Sequence, residues 1–188
     1  VAVKKPLSEA AIVYDLRYDL NLDKKVNNAD VKATIAAIGT TNLKADFTGD
    51  KKVSLDDVHK IREYLWSIDK KAYFDLDLSG KVNDKDVAMV KAKINTDDIY
   101  SDINNSGGVA WQTPTTSGTL YRVTKDDYIM IGTFVFDLTG DGKVTQADYD
   151  FLVGKVVPKY SPCPVGKNCD LNGDGLVLSN DGAPILNY

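Results

Sequence analysis

Glutamate is nearly absent: Glu9 and Glu63 are the only two, so 25 of the 27 acidic residues are aspartate. A solvated helical face ordinarily favours Glu, because Asp competes with the helix for backbone hydrogen bonds. So strong a bias places carboxylates in loops, on short stems, for geometry. Basic clusters are also missing. The net charge is -4, the pI is near 5, and no Lys/Arg run carries interleaved aromatics, which argues against nucleic acid as a partner. No apolar run is long enough to cross a bilayer, so no membrane span is expected. The chain starts at Val1 without Met, as a processed form would.

Histidine is represented by His59 alone, which reads as a solvated surface residue. No nucleophile motif or glycine-rich phosphate loop accompanies it, so no catalytic residue and no enzyme is expected. The two cysteines, Cys163 and Cys169, lie six apart in "SPCPVGKNCD". A short disulfide-closed loop is the favoured reading, which implies an oxidising compartment and a secreted or cell-surface protein. A zinc site is disfavoured, with one His and no second Cys pair.

What the chain does have is a repeat. Five copies align: "DLNLDKKVNNAD" from Asp19, "DFTGDKKVSLDD" from Asp46, "DLDLSGKVNDKD" from Asp75, "DLTGDGKVTQAD" from Asp137 and "DLNGDGLVLSND" from Asp170. Each has Asp first, an apolar residue second, oxygen-bearing side chains third and fifth, Val eighth and Asp twelfth. Calcium takes six to eight oxygens at about 2.3 to 2.6 Å, and a 12-residue loop supplies them from positions 1, 3, 5, 7 (through its carbonyl), 9 and 12.

The expected ligands of up to five Ca2+ ions follow. They are Asp19, Asn21, Asp23, Lys25 and Asp30 in loop one, and Asp46, Thr48, Asp50, Lys52 and Asp57 in loop two. Loop three offers Asp75, Asp77, Ser79, Lys81 and Asp86; loop four offers Asp137, Thr139, Asp141, Lys143 and Asp148. Loop five offers Asp170, Asn172, Asp174, Leu176 and Asp181. The residue at position 7 contributes only its carbonyl, which leaves its side chain free to be Lys. Val144 is expected to point inward and pair with the equivalent Val of a neighbouring loop. An Asp-Gly hairpin turn explains neither Asp148 and Asp181 nor the copies that lose the Gly. In loops one and two, Lys24 and Lys51 stand at the sixth position, where a sharp turn favours Gly, so weaker or strained sites are expected there.

Helical patterns follow the loops: Val31, Ile35, Ala36 and Ile38; Val58, Ile61, Leu65 and Trp66; Val87, Val90 and Ile94; Tyr149, Leu152, Val153 and Val156. The segments entering the loops read as short and extended. The expected fold is mainly α with short strands, divided as 1-94 (an N-terminal extended segment and three loop-helix repeats), 95-135 (an insertion) and 136-188 (the last two loops). Within the insertion, "TLYRVTKDDYIMIGTFVF" reads as a β-hairpin turning near Lys125 to Asp127. The insertion reads as an elaborated connection or, alternatively, as a recognition element in which Trp111, Tyr121 and Tyr128 offer aromatic area to a protein or a glycan. The N-terminal "KKPLSEAAIVYDLRYDL" is strand-like, and a further alternative is that it pairs with an edge of that sheet, within the chain or in a neighbouring molecule. Between molecules such a pairing would run head to tail and build a filament of calcium-stiffened subunits. A calcium sensor with a Met-rich groove is disfavoured, since only Met89 and Met130 are present.

A loop of this form followed by one helix, most clearly "FDLTGDGKVTQADYDFLVGKVV" and "CDLNGDGLVLSNDGAPILNY", resembles the type I dockerin repeat of secreted bacterial and archaeal proteins. The resemblance implies EF-hand-like calcium loops with structural calcium and a protein-protein interaction module that docks onto a cohesin-like domain. Dockerins recognise partners through the tenth and eleventh loop positions. Here these are Asn28 and Ala29, Leu55 and Asp56, Asp84 and Lys85, Gln146 and Ala147, and Ser179 and Asn180, different in every copy. Copies of the chain itself are the other partner considered.

Overall fold

The computed structural model describes residues 12, 14-106, 122-157, 162-164 and 167-188. Its helices are α1 (Asn28–Ala37), α2 (Leu55–Ile68), α3 (Lys70–Phe74), α4 (Asp84–Lys91), α5 (Lys125–Phe136), α6 (Gln146–Phe151) and α7 (Gly182–Leu186). α6 runs on into a π-helical turn over Leu152–Val156. Among the described residues there is no strand, which corrects the expectation of short strands and a β-hairpin.

The reason lies in "VTKDDYIMI". Thr124 accepts a hydrogen bond from the Asp126 N–H while the Asp127 carboxylate accepts from the Thr124 N–H, a capping box that starts a helix instead of turning a hairpin. The buried residues of α5, Asp127, Ile131, Val135 and Phe136, then recur at helical spacing. Tyr128 therefore lies on a helix, its ring stacked 4.8 Å from that of Tyr188. Gly132 makes room for this contact, because a Cβ there would meet the Tyr188 ring at 2.0 Å. Trp111 and Tyr121 lie outside the described residues.

The entrances of loops one to four are also helical. Single 3-10 turns over Leu16–Tyr18 and Leu43–Ala45 precede loops one and two, α3 precedes loop three, and α5 leads directly into loop four. The strand expected at the N-terminus thus ends in a helical turn; residues 1-11 and 13 lie outside the description.

The units pack in pairs, α1 on α2, α4 on α5 and α6 on α7. Chain segments following the first helix of a pair bond to the eighth-position Val of the next unit: Gly39 N–H to the Val53 carbonyl, and Asn95 N–H to the Val123 carbonyl, both 2.9 Å. One apolar core threads the units, with Val26, Ile61, Phe74, Leu76, Ile103, Val123, Ile131 and Leu171 at its centre. A small second cluster of Ala37, Ala45 and Val53 closes the first pair. Cys163 and Cys169 form a disulfide. No helix among the described residues is long and apolar enough to cross a membrane.

Candidate metal centres

Each loop is built by its own aspartates. The twelfth-position Asp is the third residue of the helix (or, in loop five, of the 3-10 turn) that follows. One of its oxygens accepts the N–H of the ninth residue, at 2.7 to 3.0 Å, in Asp30, Asp57, Asp86, Asp148 and Asp181. Its other oxygen reaches back to the start of the loop, taking the N–H of Leu20, Phe47, Leu76, Leu138 or Asn172. Each of these carboxylates is fully buried. The short Asp stem lets one group both cap the helix and fasten the entrance of the loop. The ninth-position Asn27, Ser54, Asn83 and Thr145 serve as the matching N-caps.

The first-position Asp holds the turn. Asp19, Asp46, Asp75, Asp137 and Asp170 each accept the N–H of the sixth residue, Lys24, Lys51, Gly80, Gly142 or Gly175, at 2.8 to 3.0 Å. Lys24 and Lys51 adopt the same left-handed conformation as the glycines, each at φ 68°. The sixth-position lysines thus keep the loop shape under backbone strain. The fifth-position Asp23, Asp50, Asp141 and Asp174 accept the N–H of the seventh residue.

Loop three brings its carboxylates closest together. Asp75, Asp77 and Asp86 have oxygens within 4.8 Å of one another, the one group of three acidic, His or Cys ligands among the described residues that converges so tightly. Burial raises the Asp86 pKa to about 6 and raises that of Asp75, to which the neighbouring Asp77 adds. At Asp77 burial is outweighed by hydrogen bonds from Ser79, which lower its pKa. In the other loops the third position is Asn or Thr, so their three carboxylates stand further apart. Val26, Val53 and Val82 are buried and Val144 is half-buried, whereas Val177 of loop five is exposed.

Loops three and five face each other. The Asp84 N–H bonds the Leu171 carbonyl at 2.9 Å, and the Lys81 ammonium lies 2.8 Å from Asp170 Oδ2. At Asp170 burial is outweighed by hydrogen bonds from Lys81 and Gly175, which lower its pKa. Its other oxygen, Oδ1, is buried without a hydrogen-bond partner. That oxygen in a three-carboxylate loop is the kind of group a hard cation would satisfy.

The structure adds a sixth loop of the same geometry, which the repeat pattern does not display. "DINNS" from Asp102 and "RVTKDD" from Arg122 are its two halves, separated by residues 107-121, which lie outside the description. Asp102 accepts the Ser106 N–H at 3.1 Å, as the first Asp does in other loops. Asp127 accepts the Asn104 N–H at 2.9 Å and the Thr124 N–H at 2.8 Å, and is fully buried like its five counterparts. Val123 takes the place of the eighth-position Val, also fully buried. One signal in the sequence points to it: the interval from Asp75 to Asp102 equals that from Asp19 to Asp46.

His59 is half-buried, and burial beside Arg62 lowers its pKa. No family model, curated protein or solved structure matches the chain.

Proposed function

We propose that the chain is an extracellular calcium-binding module of dockerin-like repeats, in which calcium is a structural ligand and the assembled helices present a surface to a protein partner. The observation that carries this reading is the convergence of Asp75, Asp77 and Asp86 within 4.8 Å on a hydrogen-bond scaffold repeated in the other loops. Three carboxylates held so close repel one another, and a divalent cation removes the repulsion while gaining their oxygens. Asp170, with a buried oxygen lacking a partner, extends the same argument to loop five. The disulfide supports an oxidising location. The reading assigns the ligand-position carboxylates to the loops and includes no catalytic step. Leu16, Leu22, Leu43 and Trp66 are apolar side chains exposed on the first pair and offer contact area to a partner.

The test is calcium titration by calorimetry, with thermal melting in calcium and in EDTA. Binding together with a melting temperature that falls on chelation supports the reading. An unchanged melting temperature and circular dichroism spectrum would refute a structural role for calcium.

A further inference from the structure

The split loop differs from the other five in its charges. At the ligand positions loops one to five each carry three carboxylates, whereas the split loop carries two, Asp102 and Asp127, with Asn104 and Ser106 at the third and fifth positions. Its seventh residue is also unlike the rest. Lys25, Lys52, Lys81, Lys143 and Leu176 are exposed at that position, but Arg122 is only 3% exposed. The Arg122 guanidinium lies 3.9 Å from Asp102 Oδ2, with both side chains buried. The chain thus supplies a buried cation beside the first Asp of the split loop.

A second guanidinium reaches the same segment from α2. Arg62, also 3% exposed, donates to the carbonyls of Ile99 (2.9 Å), Tyr100 (2.7 Å) and Asp102 and to Asn105 Oδ1 (2.9 Å). Buried guanidinium groups persist where carboxylates and carbonyl oxygens satisfy them, and Arg suits such sites because its fork is planar and weakly hydrated. Two carboxylates therefore stand against two guanidinium groups, a charge balance that a divalent ion would otherwise supply.

We propose that the split loop is a calcium-independent member of the repeat, in which Arg122 and Arg62 take over the charge and part of the organising role that calcium has in the other five. The proposal rests on the calcium reading of those loops. It makes the second unit of the middle pair a built-in anchor that holds its helix whether or not calcium is present.

The test is a crystal structure of the full chain saturated with calcium, or with terbium as the anomalous scatterer, read loop by loop. Peaks in the other loops and none between Asp102 and Asp127 support the proposal. A peak coordinated by both of those carboxylates overturns it while leaving the calcium reading intact. If no loop shows a peak, the calcium reading falls, and the ion pair is judged by a second measurement. That measurement is a double-mutant cycle of Arg122→Gln and Asp102→Asn in the full chain, followed by urea unfolding. Coupling of about tenfold or more in the unfolding equilibrium constant supports the internal cation, and additivity within about twofold overturns it.

Discussion

Loop three and the split loop belong to one helical pair, α4 packed on α5, and share a hydrogen-bond scaffold, yet their carboxylates stand in opposite surroundings. Loop three gathers three carboxylates within 4.8 Å and raises the Asp86 pKa to about 6, a state that invites an ion from solution. The split loop has one carboxylate fewer and a buried Arg122 beside Asp102. The contrast teaches that one backbone shape is built around different numbers of carboxylates. A twelfth-position Asp that caps the helix and ties down the loop entrance supplies the shape. On the proposed reading, the number of carboxylates left over decides whether a cation comes from outside.

The largest expected effect breaks the comparison along that line. Chelation removes a ligand that stabilises each occupied loop by about 4 kcal/mol when calcium stands a thousandfold above its dissociation constant. Hydrogen exchange in EDTA is expected to release the amides of Phe47, Leu138 and Asn172, fastened only by calcium-loop aspartates, before those of Asn104 and Thr124. Uniform loss of protection would erase the distinction between the two kinds of loop.

Arg62→Met is the complementary break. It leaves three carbonyls and Asn105 Oδ1 without their donor and removes one of the two buried guanidinium groups, at a cost of about 3 to 5 kcal/mol. Urea unfolding should show this loss in calcium as well as without it, because added calcium has no third carboxylate to recruit. Recovery of stability in high calcium would show that the split loop accepts the ion after all.

The five contiguous loops are legible because a ligand pattern confined to one short, unbroken stretch shows itself in a single sequence window. The sixth is not, because residues 107-121 stand between Ser106 and Arg122, and only the matching interval from Asp75 to Asp102 exposes it. The expected hairpin fails for a related reason. Thr124 to Asp127 resembles a turn between two apolar stretches, although Ser54 to Asp57 forms the same capping box at the start of α2, whose apolar spacing is plainly helical. The entering turns are hidden because three residues, as in Leu16–Tyr18, are too few to display a period. The disulfide is legible from spacing alone, since so short a separation leaves few other arrangements.

Within the five contiguous loops a finer comparison sets lysine against glycine at the sixth position. Lys51 is exposed and held at φ 68°, where a side chain costs about 1 kcal/mol relative to glycine. Lys51→Gly is expected to raise stability by about that amount, or to tighten calcium binding in loop two about fivefold, as read by calorimetry. No change would mean that the left-handed turn is not where loop two differs from loop four.

The smallest effect concerns loop five, where an internal cation already faces the carboxylate proposed to bind an external one. The Lys81 ammonium sits 2.8 Å from Asp170 Oδ2, while the Lys81 backbone belongs to loop three. The side chain of Lys81 is 48% exposed, so solvent screens the pair and its worth is at most about 1 kcal/mol. Lys81→Gln keeps the loop-three carbonyl and removes the competing charge. Loop five should then bind calcium about two- to fivefold more tightly, most visibly at low salt, while loop three is unchanged. Weaker binding in loop five would mean that Lys81 positions Asp170 for the ion instead of standing in for it. The half-exposed lysine would then differ in kind, and not only in degree, from the buried Arg122.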